Sequence, residues 1–392
     1  MRKDFLSFSP PAIGPEEIEE VSDTLRSQWL TTGPKVGRFE RELAQLLGAP
    51  AALALNSCTA GLHLALVTLG IGPGDAVITT PMTFCASVNV IEHVGARPIL
   101  VDVEPDTLNL SPHRVAEALA QTHHENVGRV KALLPVHLYG HPCEMDALLG
   151  LAREHGLYLI EDAAHALPAK YKGRSIGTIG DLTAFSFYAT KNLTTAEGGM
   201  LTGAPEWLER ARILSLHGMN RDAWKRYSAE GSWYYEVVAP GFKYNMTDIQ
   251  AAIGLQQLRK LPHFQKRRRA IVQRYQEAFS SLDTLQLPVE RPEVEHAWHV
   301  YAIRLNLEQL RISRGQFIEE LKMRNIGSSV HFIPIHLHPY YREKYGYRPK
   351  DFPVAYDAYQ RLVSLPLSPA LSDQDVTDVI EAVNDILTRF QR

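Results

Sequence analysis

The first two-thirds of this chain alternates short, nearly continuous apolar runs with longer amphipathic ones. The runs 51–55, 76–80, 98–103, 131–137, 157–161, 183–187 and 199–202 read as strands. The stretches 59–69, 85–94, 111–121 and 144–155 between them read as helices. A strand that is apolar on both sides of its pleat belongs to a sheet buried on both faces. Strand–helix alternation then predicts an α/β fold, with a mainly parallel seven-stranded sheet between layers of helices.

The remainder is more mixed. Residues 240–257 read as a loop entering a helix, with Thr247 as its cap. A long charged helix is expected over 260–281, then a strand at 299–305, a helix at 313–324, a strand at 328–332 and a last helix at 372–390. The chain of 392 residues is long enough for two domains. The expected division is a large domain with an N-terminal arm, 1–255, and a smaller C-terminal α+β domain, 256–392.

A net charge of -3 gives no electrostatic case for nucleic acid or an anionic membrane as partner. The basic run Lys266-Arg267-Arg268-Arg269 has no interleaved aromatic residues and reads as a solvated helix face. The three cysteines, Cys58, Cys85 and Cys143, are odd in number and lack metal-ligand spacing. They point away from a disulfide framework and towards a reducing cytoplasm. No secretory pattern is visible over residues 1–9, and no run approaches the ~18 apolar residues of a membrane span.

The chemistry-bearing residues fall at strand ends. Asp162 closes the most apolar run, Leu157 to Glu161, where an acid is costly unless it is paired. Lys191 follows the run Phe185-Ser186-Phe187-Tyr188-Ala189-Thr190 and precedes the turn Glu197-Gly198-Gly199. An acid at one strand end and a lysine at another suggest pyridoxal 5'-phosphate (PLP). The acid would keep the pyridine nitrogen protonated and the lysine would form the Schiff base. Read one at a time, Asp162 also fits a helix cap, since with His165 alone it makes no metal site, and Lys191 a surface lysine in a loop. Asn56-Ser57-Cys58-Thr59-Ala60-Gly61 leaves a strand and opens a helix. Its amides and the hydroxyls of Ser57 and Thr59 suit a phosphate, or Ser57 and Thr59 simply cap the helix. It has neither a Walker loop's spacing nor Gly-x-Gly-x-x-Gly, which weighs against a dinucleotide oxidoreductase. Phe84 could stack on a flat heterocycle or cover the sheet. His137 with His141, and His331 with His336 and His338, are weak metal candidates; no metal is expected, and His331 reads as a polar group of the substrate cleft.

Taken together, these motifs resemble the DegT/StrS-type nucleotide-sugar aminotransferases, a branch of the fold-type I PLP enzymes. The resemblance runs from Trp29-Leu30-Thr31-Thr32-Gly33-Pro34 through Thr59-Ala60-Gly61, Glu161 to His165, Phe185 to Lys191 and Pro240 to Asp248, ending at Gly327-Ser328-Ser329-Val330-His331-Phe332. Phe-Ser-Phe-Tyr-Ala-Thr-Lys followed by Ala-Glu-Gly-Gly is most similar to enzymes that aminate C4 of UDP-4-keto sugars, the UDP-4-amino-4-deoxy-L-arabinose aminotransferases in particular. Phe84 stands where that group has Trp, and Tyr188 where it has His.

The resemblance implies a role for each residue. Lys191 forms the Schiff base and moves the proton between substrate Cα and cofactor C4′. Asp162 pairs with the pyridine nitrogen, Phe84 covers the ring and His165 lies on its O3′ side. Cys58 through its backbone, Ser57, Thr59 and Ser186 hold the phosphate. Asn245 reaches the phosphate of the neighbouring subunit, so a homodimer would share its active sites. Thr32, Tyr188 and His331 line the sugar site. L-glutamate would donate the amine, leaving 2-oxoglutarate and pyridoxamine phosphate, which then aminates the nucleotide-sugar. Two alternatives are a PLP-dependent sugar dehydratase, whose relatives carry His where this chain has Lys191, and a non-catalytic PLP-fold protein that binds sugars or regulates. A PLP enzyme of amino acid metabolism would need an arginine clamp for the α-carboxylate. Arg221 and Arg226 are its candidates.

Overall fold

Each apolar run serves two cores at once. In the computed structural model, which describes residues 2–122, 128–220 and 234–392, seven strands form the main sheet: β1 (Ala51–Leu55), β2 (Asp75–Thr79), β3 (Arg97–Leu100), β4 (Arg129–Leu134), β5 (Tyr158–Asp162), β8 (Leu182–Ser186) and β9 (Gly199–Gly203). Their order is β1-β9-β8-β5-β4-β2-β3. Only β9 runs antiparallel to its neighbours, so the sheet is mainly parallel, as expected. Successive strand residues point to opposite faces. Ala54, Ile78, Leu133, Leu159 and Phe185 feed one core, and Leu53, Val77, Leu134, Ile160 and Ala184 feed the other.

Helices α2 (Pro34–Leu47), α5 (Pro112–Thr122) and α6 (Met145–Glu154) cover the first face. Helices α3 (Cys58–Thr68), α4 (Ala86–His93) and α7 (Pro205–Ser215) cover the second, while α1 (Pro15–Ser27) lies outside against the chain's longest helix. The close fit at α3 needs glycine. A Cβ on Gly199, the first residue of β9, would sit 2.5 Å from the Cys58 amide nitrogen.

That longest helix, α8, is a single element from Asp248 to Phe279, with Pro262 inside it. The segment 240–257 is the expected loop entering a helix, and Thr247 caps α8 by accepting from the Gln250 amide at 3.3 Å. What changes is the length of that helix. No break separates this start from the helix expected at 260. The helix continues because both halves bury apolar residues: Ala251, Leu255 and Leu261 in the sheet's core, Ile271, Tyr275 and Phe279 in a second core. The expected division at 255 therefore falls inside a continuous helix.

The second core is built on a three-stranded antiparallel sheet, β10 (Leu285–Gln286), β12 (Tyr301–Leu305) and β13 (Leu362–Leu365), with α9 (Arg314–Met323) and α12 (Asp373–Phe390). Helices α10 (Pro339–Tyr345) and α11 (Pro353–Arg361) lie towards the main sheet, and a small ribbon joins β6 (Lys170–Tyr171), β7 (Arg174–Ser175) and β11 (Val294–Glu295). The strand expected at 328–332 is reduced to one bridge between Ser329 and Ser364, and just before it the Gly327 amide is bound to the Leu6 carbonyl of the N-terminal arm at 2.8 Å. The basic run is also not simply a solvated face. Arg268 is 1% exposed, and its Nη1 donates to the carbonyls of Trp298, His299 and Leu367. Among the described residues no helix is long and apolar enough to cross a membrane. Arg221 and Arg226 lie outside the described residues.

Candidate active site at the carboxyl ends of the strands

Parallel strands converge their carboxyl ends on one edge, where α/β proteins place ligands. Asp162 is the last residue of β5 and 4% exposed. Its Oδ1 accepts the Ala164 amide at 3.0 Å and its Oδ2 the Ser87 hydroxyl at 2.7 Å. Burial pushes this carboxyl up; the hydrogen bonds from Ser87 and Ala164 and the charge of Lys191 pull the other way. Lys191, in the loop after β8, is partly buried. Burial draws its amine down to about 8, against the opposing pull of Cys58 and Asp162. An amine near 8 is unprotonated often enough near neutrality to attack a carbonyl. The loop is pinned by Asn192, whose Nδ2 donates to the Leu167 and Ala297 carbonyls while its Oδ1 accepts from His299 Nδ1 at 3.2 Å.

The turn after β1 lies beside these groups. Ser57 caps α3, its Oγ accepting from the Ala60 amide at 3.0 Å, and its carbonyl accepts from Gly61. A helix's first amides have no intrahelical partner, so those of Cys58 and Thr59 remain for a ligand. The Cys58 thiol is buried against the Ala184 carbonyl and pushed up by burial, so only its backbone can serve. Ser186 ends β8 opposite Gly199, which also pairs with Leu55, so the strand register brings Ser186 to the Ser57–Thr59 turn. Asn245 bridges to Leu55 from the other side. Its Nδ2 donates to Thr32 Oγ1 at 2.8 Å, and that hydroxyl donates to the Met246 carbonyl at 2.6 Å. Thr32 is thus joined to Asn245.

An aromatic wall closes another side. The His165 ring stacks at 5.8 Å on Phe332, whose ring lies 5.9 Å from Phe84. Phe84 is 58% exposed and Tyr188 48% exposed, both at the rim. The Tyr139 amide donates to His165 Nδ1 at 3.2 Å, which leaves the proton of a neutral ring on Nε2. Tyr139 also donates its hydroxyl to the His331 carbonyl, and its own carbonyl accepts from the His299 amide. His331 Nδ1 lies 2.9 Å from Ser364 Oγ, and burial and then Lys191 bring its ring down to about 4.

Sequence reasoning missed Ser87, Tyr139, Asn192, His299 and Phe332 as site residues. Asn192 had one signal, its place beside Lys191. The histidine pair His137 and His141 separates: His137 Nε2 meets Glu161 at 2.8 Å in the core, while His141 Nδ1 lies 2.7 Å from the Pro142 carbonyl. His336 is buried, and His338 lies in the next turn.

These groups fit PLP on their own geometry. Free helix amides await a phosphate, a buried acid awaits a cationic N–H, and a lysine of lowered basicity lies within electrostatic reach of that acid. The chain matches the DegT/DnrJ/EryC1/StrS aminotransferase family over residues 11–384. It belongs to that family. It is 53% identical over 388 residues to the spore coat polysaccharide biosynthesis protein SpsC of Bacillus subtilis, covering 98% of each chain. It is 54% identical over 389 residues to an uncharacterised protein of Methanocaldococcus jannaschii, MJ1066, covering 99% of each. Among solved structures it superposes on Spr1654 of Streptococcus pneumoniae, assigned as a sugar aminotransferase, in its PMP form, with a TM-score of 0.90 and 38% identity over 98% of this chain and 99% of that one. The same protein has a PLP form. The aminotransferase TlmJ of Streptoalloteichus hindustanus gives a TM-score of 0.88 and 35% identity, covering 98% of this chain and 99% of its own. The fold is that of the fold-type I PLP enzymes, and the chain is a PLP-dependent sugar aminotransferase.

Proposed function

We propose that this enzyme moves the amino group of L-glutamate to C4 of a UDP-linked 4-keto sugar, giving the amino sugar and 2-oxoglutarate. The observation that carries the chemistry is Lys191, drawn down to about 8, within electrostatic reach of the buried Asp162 at the carboxyl ends of the strands. The sugar reading draws support from named relatives: SpsC in polysaccharide biosynthesis, and PseC of Helicobacter pylori, an aminotransferase in pseudoaminic acid biosynthesis, 27% identical with a TM-score of 0.88.

Bound PLP supplies the electron sink that makes a substrate Cα–H acidic. The protein's part is to place and move protons. Lys191 would tether the cofactor, and its amine, drawn down to about 8, would serve as the group that takes up and returns the substrate proton. Asp162 keeps the ring nitrogen cationic. The amides of Cys58 and Thr59 and the hydroxyls of Ser57, Thr59 and Ser186 hold the phosphate. His165, with its proton on Nε2, would lie on the side of the ring oxygen, and Phe84 would cover the ring. Thr32, Tyr188 and His331 bound the sugar. Asn245 serves the phosphate in the partner subunit of a homodimer, with Thr32 fixing its amide. The free thiols of Cys58, Cys85 and Cys143 suit a cytoplasmic setting.

A panel of nucleotide-linked keto sugars incubated with enzyme and glutamate tests this reading. The expected result is stoichiometric 2-oxoglutarate and a new amine at C4 of a UDP sugar. Amination at another carbon, or only on another nucleotide's sugars, refutes the C4–UDP assignment. A deoxygenated keto product without 2-oxoglutarate indicates dehydration instead.

A further inference from the structure

We propose that Ser87, backed by Thr83, is the positioning residue for Asp162: its hydroxyl donates a hydrogen bond to the carboxylate and holds it ionised and aimed at the cofactor's ring nitrogen. This rests on the reading of Asp162 given above.

Asp162 is buried, and among the described residues the side-chain hydrogen bond it accepts comes from Ser87, at 2.7 Å. An ionised carboxylate can only accept, so the Ser87 proton points to Asp162. Ser87 and Thr83 are also 2.7 Å apart, oxygen to oxygen. With the Ser87 proton already committed, Thr83 must be the donor in that contact. The result is a directed chain, Thr83 to Ser87 to Asp162 Oδ2, in which each bond polarises the next. The bland alternative is a hydroxyl folded back on its own helix turn. The Phe84 carbonyl is available for that, but at 3.3 Å against 2.7 Å for the carboxylate. Ser87 is 0% and Thr83 2% exposed, so water cannot stand in for either hydroxyl.

The backbone around the pair explains how the aim is held. Phe84, Cys85 and Ser87 all belong to the entry of α4, so one helix start places both Phe84 and the donor to the acid. Further along α4, Asn89 accepts the Tyr341 hydroxyl at 2.5 Å, and Glu92 accepts Lys344 Nζ and the Tyr345 hydroxyl. Those three donors belong to α10, so α4 is tied to the C-terminal part of the chain. The other titratable groups acting on Asp162 are Lys191 from the loop after β8, His137 from the loop after β4 and Cys58 at the start of α3. None of them donates a hydrogen bond to the carboxylate among the described residues.

The test is PLP affinity of the full chain as a function of pH, for the parent, Ser87→Ala, Thr83→Val and Asp162→Asn. Protonating Asp162 removes the partner of the ring nitrogen, so binding by the parent falls on the acid side. Loss of a donor raises the carboxyl's affinity for protons, so the acid limb moves to higher pH. The expected shift for Ser87→Ala is about one unit, a tenfold change in proton affinity, as befits one hydrogen bond to a charged group. Thr83→Val should move the limb the same way by less, and it never touches Asp162, so it decides the matter should Ser87→Ala fail to fold. A role in packing alone weakens binding equally at every pH and leaves the limb in place. That outcome, or unchanged binding in both variants, overturns the proposal. Asp162→Asn separates the two layers: the limb that Lys191 contributes near 8 stays in every variant, and a second acid limb that also persists unchanged in Asp162→Asn overturns the reading of Asp162 itself.

Discussion

Asp162 and His165, on the floor of the site, are each less than a tenth exposed and each has its hydrogen bonds fixed by named partners. Phe84 and Tyr188, at the rim, are 58% and 48% exposed, and among the described residues no ring hydrogen bond ties Tyr188 down. The two regions solve different problems. Moving a proton and stabilising a charged ring need groups already oriented in dry surroundings, because reorganising them at the moment of reaction would raise the barrier. Choosing among sugars needs shape and contact, which an exposed side chain at a cleft mouth such as Tyr188 supplies and can exchange without disturbing the floor. The rim is also where this chain departs from the UDP-4-amino-4-deoxy-L-arabinose group, with Phe84 for Trp and Tyr188 for His.

The sharpest way to break this contrast is Lys191→Ala. Turnover should fall by about 10²–10⁴ or more, the range of a lost general acid–base group. The visible band of cofactor tethered to protein should vanish with it. A variant that transaminates at the parental rate would remove Lys191 from the floor altogether. Asp162→Asn should follow, keeping the shape and losing the charge. The expected drop in kcat is about 10²-fold, the size associated with one preorganised electrostatic partner. Steady-state rates at saturating glutamate and keto sugar measure it, and a drop confined to KM would move Asp162 from chemistry to binding.

How much of this contrast was legible in the sequence depends on how far apart the partners lie along the chain. Asp162 and Lys191 stood out because one ends an apolar strand and the other lies in the loop just after one, where a charge needs a reason. The Thr247 cap could be read because its partner, Gln250, is three residues on. Ser87 could not, since its acceptor is 75 residues away. Arg268 looked like one more cation on a solvated face, because the carbonyls of Trp298, His299 and Leu367 that bury it lie 30, 31 and 99 residues on. The fold class came from periodicity, which is local. The single helix α8 did not, because what carries it past Pro262 is the second core, assembled from the far end of the chain.

The floor should also show itself in pH. Burial holds the Lys191 amine at about 8 instead of 10.5. Only the unprotonated amine captures PLP, so the rate of capture by cofactor-free protein should rise about tenfold per pH unit below 8 and level off above it. The sign for stability runs the same way. A lysine whose folded value is depressed binds protons more weakly folded than unfolded, so this one group destabilises the cofactor-free fold at low pH. The penalty is relieved between about 8 and 10.5 as pH rises. Stopped-flow absorbance across this range checks the rate; a capture rate still climbing steeply above pH 9 would mean an exposed, ordinary lysine.

The smallest effect belongs to the rim. Tyr188 meets the catalytic loop through its backbone, its carbonyl accepting the Lys191 amide at 2.9 Å. Tyr188→His leaves that turn intact and exchanges only the ring. The glutamate half-reaction, read as 2-oxoglutarate release without any sugar, should therefore stay within about twofold. The ratio of kcat/KM between two keto sugars should shift about three- to tenfold, the scale of one altered contact in a binding pocket. Because the half-reaction and the sugar preference are measured on the same enzyme, they separate the regions directly. A loss of the glutamate half-reaction with sugar preference unchanged would place Tyr188 with the floor, and the line between chemistry and selection would have to be drawn further out.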